Sequence, residues 1–492
     1  MGAGPLQGIR VIDLTVWMSG AIGAMLLGDL GADVIKVEGP TGDPVRRYVP
    51  IGATDAASAP GGVNYAYALC NRNKRQVTLD LRDPGDRGRL YELVGDADVF
   101  ITSMRADTLL SLGIDEESIK SVNPAIVYAR AGGLGHTGPR AADRCQDMLG
   151  MAYAGLLFTA SPEQDEPFAP PGATNDVLTG TMIAFGVLAA LLQRQHSGHG
   201  ETVHASLLHT ALWTQLIQLG TAANAPQVLV PPRSRRDPRS PGVNQYKCSD
   251  GRWIAVAAVT AAAWATLTQA LDLDFADPET GGPLSYAGVL AHAAEVRETL
   301  DEYFAKQPMS HWLARLEAAG VWCTPVNTLA EVMTDEHVSA NGYLSELDDG
   351  LRTVAMPFTL SGYAAPARAA RRPGEDDDDV LGGPSGRLPA RDRTGQAEGR
   401  QASFTIRYAV TTMSLVVTVW LGWRKHRADA HAVAEACMTW LGAHGFTPPN
   451  VKTRVRPDKS YHDGGYHVWL SVSEAIYPKL HDLLAEQMPV GR

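Results

Sequence analysis

What this chain has little of narrows its chemistry first. Only five cysteines occur among 492 residues, Cys70, Cys145, Cys248, Cys323 and Cys437, far apart and in no C-x-x-C pair. That excludes a zinc ribbon and a disulfide framework and suits a reducing cytoplasm. Cations are outnumbered, 43 Lys and Arg against 54 Asp and Glu, giving a formal net charge of −11 and a pI near 5.7. A surface built mainly for nucleic acid or an anionic membrane is thereby disfavoured, which leaves room for a local basic pocket for phosphates. The opening residues lack a basic region followed by an apolar core, so no secretory signal is expected. The uncharged stretch 408–423 is shorter than the ~20 residues of a membrane helix and rich in β-branched residues, which reads as a buried strand pair.

What is present is an ordinary soluble composition, 45% hydrophobic and 20% charged, in a chain too long for one hydrophobic core. Strand-like Ile9–Leu14, helix-like Ala21–Leu30 and strand-like Asp33–Glu38 make a β-α-β unit. The rhythm continues with strands at 76–81, 97–101 and 126–129 and a helix at 85–94, a Rossmann-like α/β domain. Glu38 ends the second strand, where a ribose-binding acid would stand. The turn Trp17-Met-Ser-Gly20-Ala-Ile-Gly23 lacks the first glycine of G-x-G-x-x-G, so NAD is not expected.

The same pass divides the chain into a large Rossmann-like part (1–225), a smaller α/β domain (226–327) and a return segment completing the large one (328–382). A polar linker (383–401) and an additional α+β unit (402–492) follow. In the last unit strands are expected near Ile406, Val417, Val451 and Val468 and helices over 428–441 and 473–487. Its tryptophans Trp420, Trp423, Trp440 and Trp469 read as core. The acidic run Glu375–Asp379 reads as solvated.

Two groups of residues suggest chemistry. Asp176 lies in Ala173-Thr-Asn-Asp-Val-Leu-Thr-Gly180, just before the apolar run 181–194, where a loop enters a buried helix. An acid there can be desolvated and oriented for nucleophilic or acid/base work, or it can cap the helix. The histidines His196, His199, His204 and His209 are spaced by three, five and five, which does not place three ligands on one helical face, so no metal is expected.

These residues together resemble the class III CoA-transferase family, which includes formyl-CoA and carnitine CoA-transferases and α-methylacyl-CoA racemases. The resemblance rests on Pro5-Leu-Gln-Gly-Ile-Arg-Val-Ile-Asp-Leu-Thr15, Leu27-Gly-Asp-Leu-Gly-Ala-Asp-Val-Ile-Lys-Val-Glu38 and Asn71-Arg-Asn-Lys-Arg75 with Leu79-Asp-Leu81. It extends through Gly135-His-Thr-Gly-Pro139, Asp176-Val-Leu-Thr-Gly180, Val203-His-Ala-Ser-Leu-Leu208 and Gly320-Val-Trp-Cys-Thr-Pro-Val326, covering about residues 5–382.

The resemblance implies two subunits threaded through each other as an interlocked homodimer, with acyl-CoA and a carboxylic acid as substrates and no bound cofactor. It places the nucleophile at Asp176, which would form a mixed anhydride and then an aspartyl-CoA thioester, with Asp147 as a second acid orienting or polarising the site. Positions carried over as CoA contacts are Met18, Lys74, Arg75, Leu79, Arg82, Arg105 and Arg144. The chain departs from formyl-CoA transferases at Met18, Gly39 and Ser111, which replace a glutamine, a basic residue and an arginine. Met18, Trp17 and Met151 favour an apolar acyl group. The racemase branch is the alternative, yet Gln146 stands where its histidine base should be, and glutamine exchanges no proton near neutral pH. A third reading is an inactive scaffold whose C-terminal unit is a binding module.

Overall fold

The computed structural model describes residues 4–48, 64–161, 166–225, 234–236 and 238–382, and four strands beyond. The expected linker and the two expected C-terminal helices lie outside the described residues. The chain divides into two units, 1–390 and 391–492.

The first unit is organised by six parallel strands, β1 (Arg10–Leu14), β2 (Asp33–Glu38), β3 (Lys74–Thr78), β4 (Val99–Thr102), β5 (Val127–Gly132) and β6 (Thr202–Ser206), in the order β3-β2-β1-β4-β5-β6. This is the Rossmann-like sheet expected from the strand rhythm, with an edge strand, β6, that its polar Thr-Val-His-Ala-Ser sequence concealed. The helices that cover it are α1 (Ser19–Asp29), α2 (Tyr65–Cys70), α3 (Pro84–Gly95), α4 (Ala106–Leu112), α5 (Glu116–Val122), α6 (Asp147–Tyr153), α7 (Leu156–Thr159), α8 (Thr174–Ser197), α9 (Leu207–Trp213) and α10 (Leu216–Asn224).

Strand alternation divides the core into two layers. Val11, Val34, Val99, Ile101, Val127 and Ala129 face α1 and α8, where they meet Leu27, Ile183 and Val187. Ile12, Ile35, Val37, Val77, Phe100 and Tyr128 face the other side, where they meet Leu90, Leu93, Leu109 and Ile119. Helix α8 is long and apolar enough to cross a membrane by length and composition. Its apolarity is accounted for by packing along α1, β5 and β6, except on an outer face where Phe185 (69% exposed) and Leu192 (58%) meet solvent.

The order of strands reverses between β1 and β4, and ligands of such sheets bind at the carboxyl ends there. The two turns at that point are tied together, the Val16 amide donating to Ser103 Oγ at 2.8 Å and Ser103 Oγ donating to the Val16 carbonyl at 3.0 Å.

Residues 243–325 form a smaller layer with its own core: antiparallel strands β7 (Val243–Lys247), β8 (Trp253–Ala257) and β9 (Cys323–Pro325) beneath α11 (Ala261–Leu271), α12 (Tyr286–Ala291), α13 (Ala293–Phe304) and α14 (Met309–Ala318). Tyr246 stacks on Phe304 and the Trp312 indole N–H donates to the Phe304 carbonyl at 2.8 Å.

The chain then returns to the large sheet, first through the hairpin β10 (Leu344–Glu346) and β11 (Arg352–Val354). The acidic run is not simply solvated, as expected: Asp376 accepts the Gln76 amide at 2.8 Å and Asp377 the Thr78 amide at 2.9 Å. These carboxylates satisfy the edge of β3, which would otherwise offer free amides to other chains.

In the second unit the described strands are β12 (Phe404–Tyr408), β13 (Ser414–Val419), β14 (Val451–Pro457) and β15 (Tyr466–Val472), an antiparallel sheet in the order β12-β13-β15-β14. Among its described residues, the stretch 408–423, read as a strand pair, holds the end of β12 and all of β13, which pair antiparallel, and β13 also pairs with β15.

Candidate active site

Asp176 sits in the first turn of α8, at the carboxyl end of the sheet. Gly172 and Ala173 both adopt left-handed backbone, with φ of 58° and 49°, and turn the loop sharply into the helix. The cap position is Ala173, which offers no side-chain bond. Asp176 is therefore not the cap. That role falls to Asp147 at the start of α6, whose Oδ1 accepts the Asp176 backbone amide at 2.7 Å. Two carboxylates expected to share a site are brought together by that contact.

The consequence is electrostatic. Burial pushes the Asp176 carboxyl up to about 6, the negative charge of Asp147 adds to the effect, and the hydroxyl and backbone N–H of Ser19 oppose it. A carboxylate of raised pKa is a better nucleophile than an ordinary one and is still mostly ionised at neutral pH. The nearby thiols do not compete. Burial raises Cys70 to about 11 and lifts Cys145 as well, with the charge of Asp176 contributing to both. Neither is a thiolate at neutral pH. Gln146 is the N-cap of α6, its Oε1 accepting the Met148 amide at 3.0 Å, and no imidazole stands beside Asp147 in the chain.

The CoA contacts inferred from resemblance separate into two sets. Arg82, Arg105 and Arg144 follow the carboxyl ends of β3, β4 and β5 with exposed or half-exposed side chains, and the partners of the first two are exposed acids, Asp80 at 3.7 Å and Asp107 at 2.9 Å. Met18 is half-buried at the N-cap of α1 and packs on the core.

The side chains of Lys74, Arg75 and Leu79 are engaged within the fold. Lys74 is buried, and its ammonium donates to Asp13, the Ala21 carbonyl and Asn71, each at 2.8 Å, leaving no donor for a phosphate. Arg75 pairs with Asp33 at 2.7 Å and Asp379 at 3.1 Å, at the amino end of the strands and away from the crevice. Leu79 is a core residue, as is Met151, which packs against Ala154 and Ala211. The rest of that block is scaffold too: Arg72 pairs with Asp29 at 2.6 Å, and Asn73 bonds Asp29 and the backbone of residues 366 and 368. Glu38 is held by Arg46 at 2.8 Å, the Tyr67 hydroxyl at 2.7 Å and the Asp43 amide at 2.8 Å.

Among the described residues no group of three or more His, Cys, Asp or Glu is arranged to hold a metal ion. Sequence reasoning missed Ser19. The spacing Ser19-x-x-x-Gly23 beside Asp176-x-x-x-Gly180 was the signal that would have found it.

Known proteins share the sequence pattern and the fold of residues 6–378. The model of CoA-transferase family III matches residues 6–378. The human succinyl-CoA:glutarate CoA-transferase is 30% identical over 70% of this chain and 76% of its own length. The (R)-2-hydroxy-4-methylpentanoate CoA-transferase of Clostridioides difficile is 28% identical over 69% of this chain and 84% of its own. Among solved structures, a CaiB/BaiF family protein from Brucella suis is 27% identical with a TM-score of 0.65, covering 76% of this chain and 98% of that one.

Proposed function

Because this chain belongs to CoA-transferase family III, we propose that it transfers coenzyme A from an acyl-CoA thioester to a carboxylic acid through a covalent intermediate on Asp176. The observation that carries the reading is the Asp176 carboxylate at the carboxyl end of the sheet, desolvated, facing Asp147 and held by Ser19.

One oxygen of Asp176 attacks the thioester carbonyl and expels the CoA thiolate, giving a mixed anhydride. The thiolate then attacks the aspartyl carbonyl carbon and releases the donor's acid, which leaves an aspartyl-CoA thioester. The acceptor carboxylate repeats the sequence in reverse, and the Asp176 carboxylate is regenerated with the acceptor as its CoA thioester. Covalent catalysis divides one hard exchange into easier steps. Asp147 keeps the helix start and the nucleophile in place and raises the energy of the ground-state carboxylate by repulsion. Arg82, Arg105 and Arg144 offer guanidinium forks to the phosphates of CoA.

The apolar side chains exposed beside the two acids, Met148, Leu149, Val177 and Leu178, support an apolar acyl group or a second subunit against the site. The outer face of α8, α9 and α10, with Phe185, Trp213 (59% exposed), Leu216 (55%) and Ile217 (74%), supports an obligate homodimer. The free cysteines among the described residues fit a reducing cytoplasm.

Intact-protein mass spectrometry after incubation with a panel of acyl-CoA thioesters tests the reading. A CoA adduct on the Asp176 peptide, lost in Asp176→Ala, is expected. No adduct with any thioester, together with α-proton exchange into deuterated water on 2-methylacyl-CoA, would replace transfer by racemisation. Light scattering after gel filtration tests the dimer, which a monomeric mass would exclude.

A further inference from the structure

The turn that carries Met18 also begins α1, and that helix has no cap of its own: Met18 makes no side-chain bond to it and its first turn holds no acid. The free amides of a helix start need an acceptor. Ser19 lies instead against the first turns of α8, beside Gly180, and its hydroxyl and backbone N–H lower the Asp176 pKa against the effect of burial.

Two glycines impose the contact. A Cβ on Gly180 would stand 2.7 Å from the Ser19 carbonyl oxygen and from Ile22 Cβ, and one on Gly23 would stand 2.9 Å from Ile183 Cγ2 and 3.1 Å from the Gly180 carbonyl oxygen. Ser19 lies one turn before Gly23 on α1, and Asp176 one turn before Gly180 on α8. The crossing that joins the glycines therefore joins the helix starts.

We propose that Ser19 is a positioning residue for the aspartyl chemistry, holding one carboxylate oxygen of Asp176 so that the other attacks the thioester. This rests on the covalent reading above and deepens it. In the mixed anhydride the attacking oxygen bridges to the acyl group and leaves with the donor's acid. The held oxygen stays on the aspartyl carbonyl through both acyl forms and becomes the oxyanion each time that carbon is attacked. The hydroxyl and N–H that hold the carboxylate are thus donors to the oxyanion without moving, which costs no reorganisation during reaction. The charged group facing Asp176 from α6 is Asp147, while Cys70 of α2 and Cys145 before α6 face it as neutral thiols.

Ser19→Ala and Ser19→Thr in the full chain test this with two readouts. The first is the rate of CoA adduct formation on Asp176. The second is the pH midpoint for carbodiimide labelling of Asp176, mapped by peptide mass spectrometry, which needs no substrate because the reagent reacts with the protonated carboxyl. Ser19→Ala is expected to slow adduct formation on the order of 10–100-fold and to raise the labelling midpoint by about 0.5–1 pH unit, since it removes a donor to the charged form. Ser19→Thr, which keeps the hydroxyl, is expected to restore both. An unchanged midpoint and rate in Ser19→Ala, or Ser19→Thr as impaired as Ser19→Ala, would overturn the proposal. Should the wild type form no adduct with any thioester, the aspartyl reading falls, and the labelling midpoint still decides whether Ser19 holds the carboxylate.

Discussion

Two clusters of charge lie under the same turn of β1, and they are treated in opposite ways. Around Asp13 every charge meets its opposite: Lys74 at 2.8 Å, with Lys36 beside it and in turn bound to Asp43 at 3.1 Å. Although buried, Asp13 is held below the usual carboxylate range by the two lysines, and Lys36 is held above its own by the surrounding acids. Around Asp176 the nearest charge is another carboxylate, and the pKa moves the other way. A satisfied buried charge is scaffold, and a frustrated one beside solvent is available for chemistry. The basic block Asn71–Arg75 belongs to the first kind even though its composition suggested phosphate binding.

Substitutions break this contrast with effects of decreasing size. Asp176→Ala should lower kcat by roughly three orders of magnitude or more, since a covalent nucleophile has no substitute, and steady-state assay reads it directly. Lys74→Met should cost on the order of 3–5 kcal/mol in urea unfolding, because it strips the close partner from the buried Asp13. Were Lys74→Met to leave stability intact and raise KM for the thioester, the assignment of the two clusters would be reversed.

Gly180→Ala tests the crossing of α1 and α8. Its methyl would meet Ser19 and Ile22 at 2.7 Å, so a loss of about 1–3 kcal/mol is expected, accompanied by a drop in kcat as Ser19 is pushed from Asp176. Asp176→Asn should do the reverse for stability at pH 8. A raised folded-state pKa means that stability is present below the unfolded value and is lost as pH rises through about 6. Removing the ionisable group should recover about 1–2 kcal/mol at pH 8 and almost nothing at pH 4, measured by thermal melts at both. The smallest effect belongs to Asp147→Asn. With the repulsion gone, the acid limb of kcat/KM, expected near pH 6 in the wild type, should move to lower pH by less than about one unit; an unmoved limb would show that Asp147 does not raise the Asp176 carboxyl.

The sheet was legible because its information is local. Alternation in Arg10–Leu14 and Asp33–Glu38 and the apolar helix between them state a β-α-β unit in consecutive residues, and β2 has the expected bounds. The strand β6 was not read, since an edge strand carries fewer apolar positions. Asp176 was legible as a residue, through its place before an apolar helix and through resemblance. Its surroundings were not. The capping of α8 by Asp147 joins positions 29 apart, and the burial of Lys74 beneath Asp13 joins positions 61 apart.

By itself the sequence determined the Rossmann-like rhythm, the family blocks and the acid at the start of α8, because periods of two and of three to four residues and contiguous motifs are written in neighbouring positions. Only the tertiary structure decided which basic residues are bound up in buried ion pairs, that Asp147 and not Asp176 caps α8, and that Ser19 packs against α8 at Gly180. The physical reason is that a charge takes its meaning from its solvent and its partners, and both are assigned when distant segments pack.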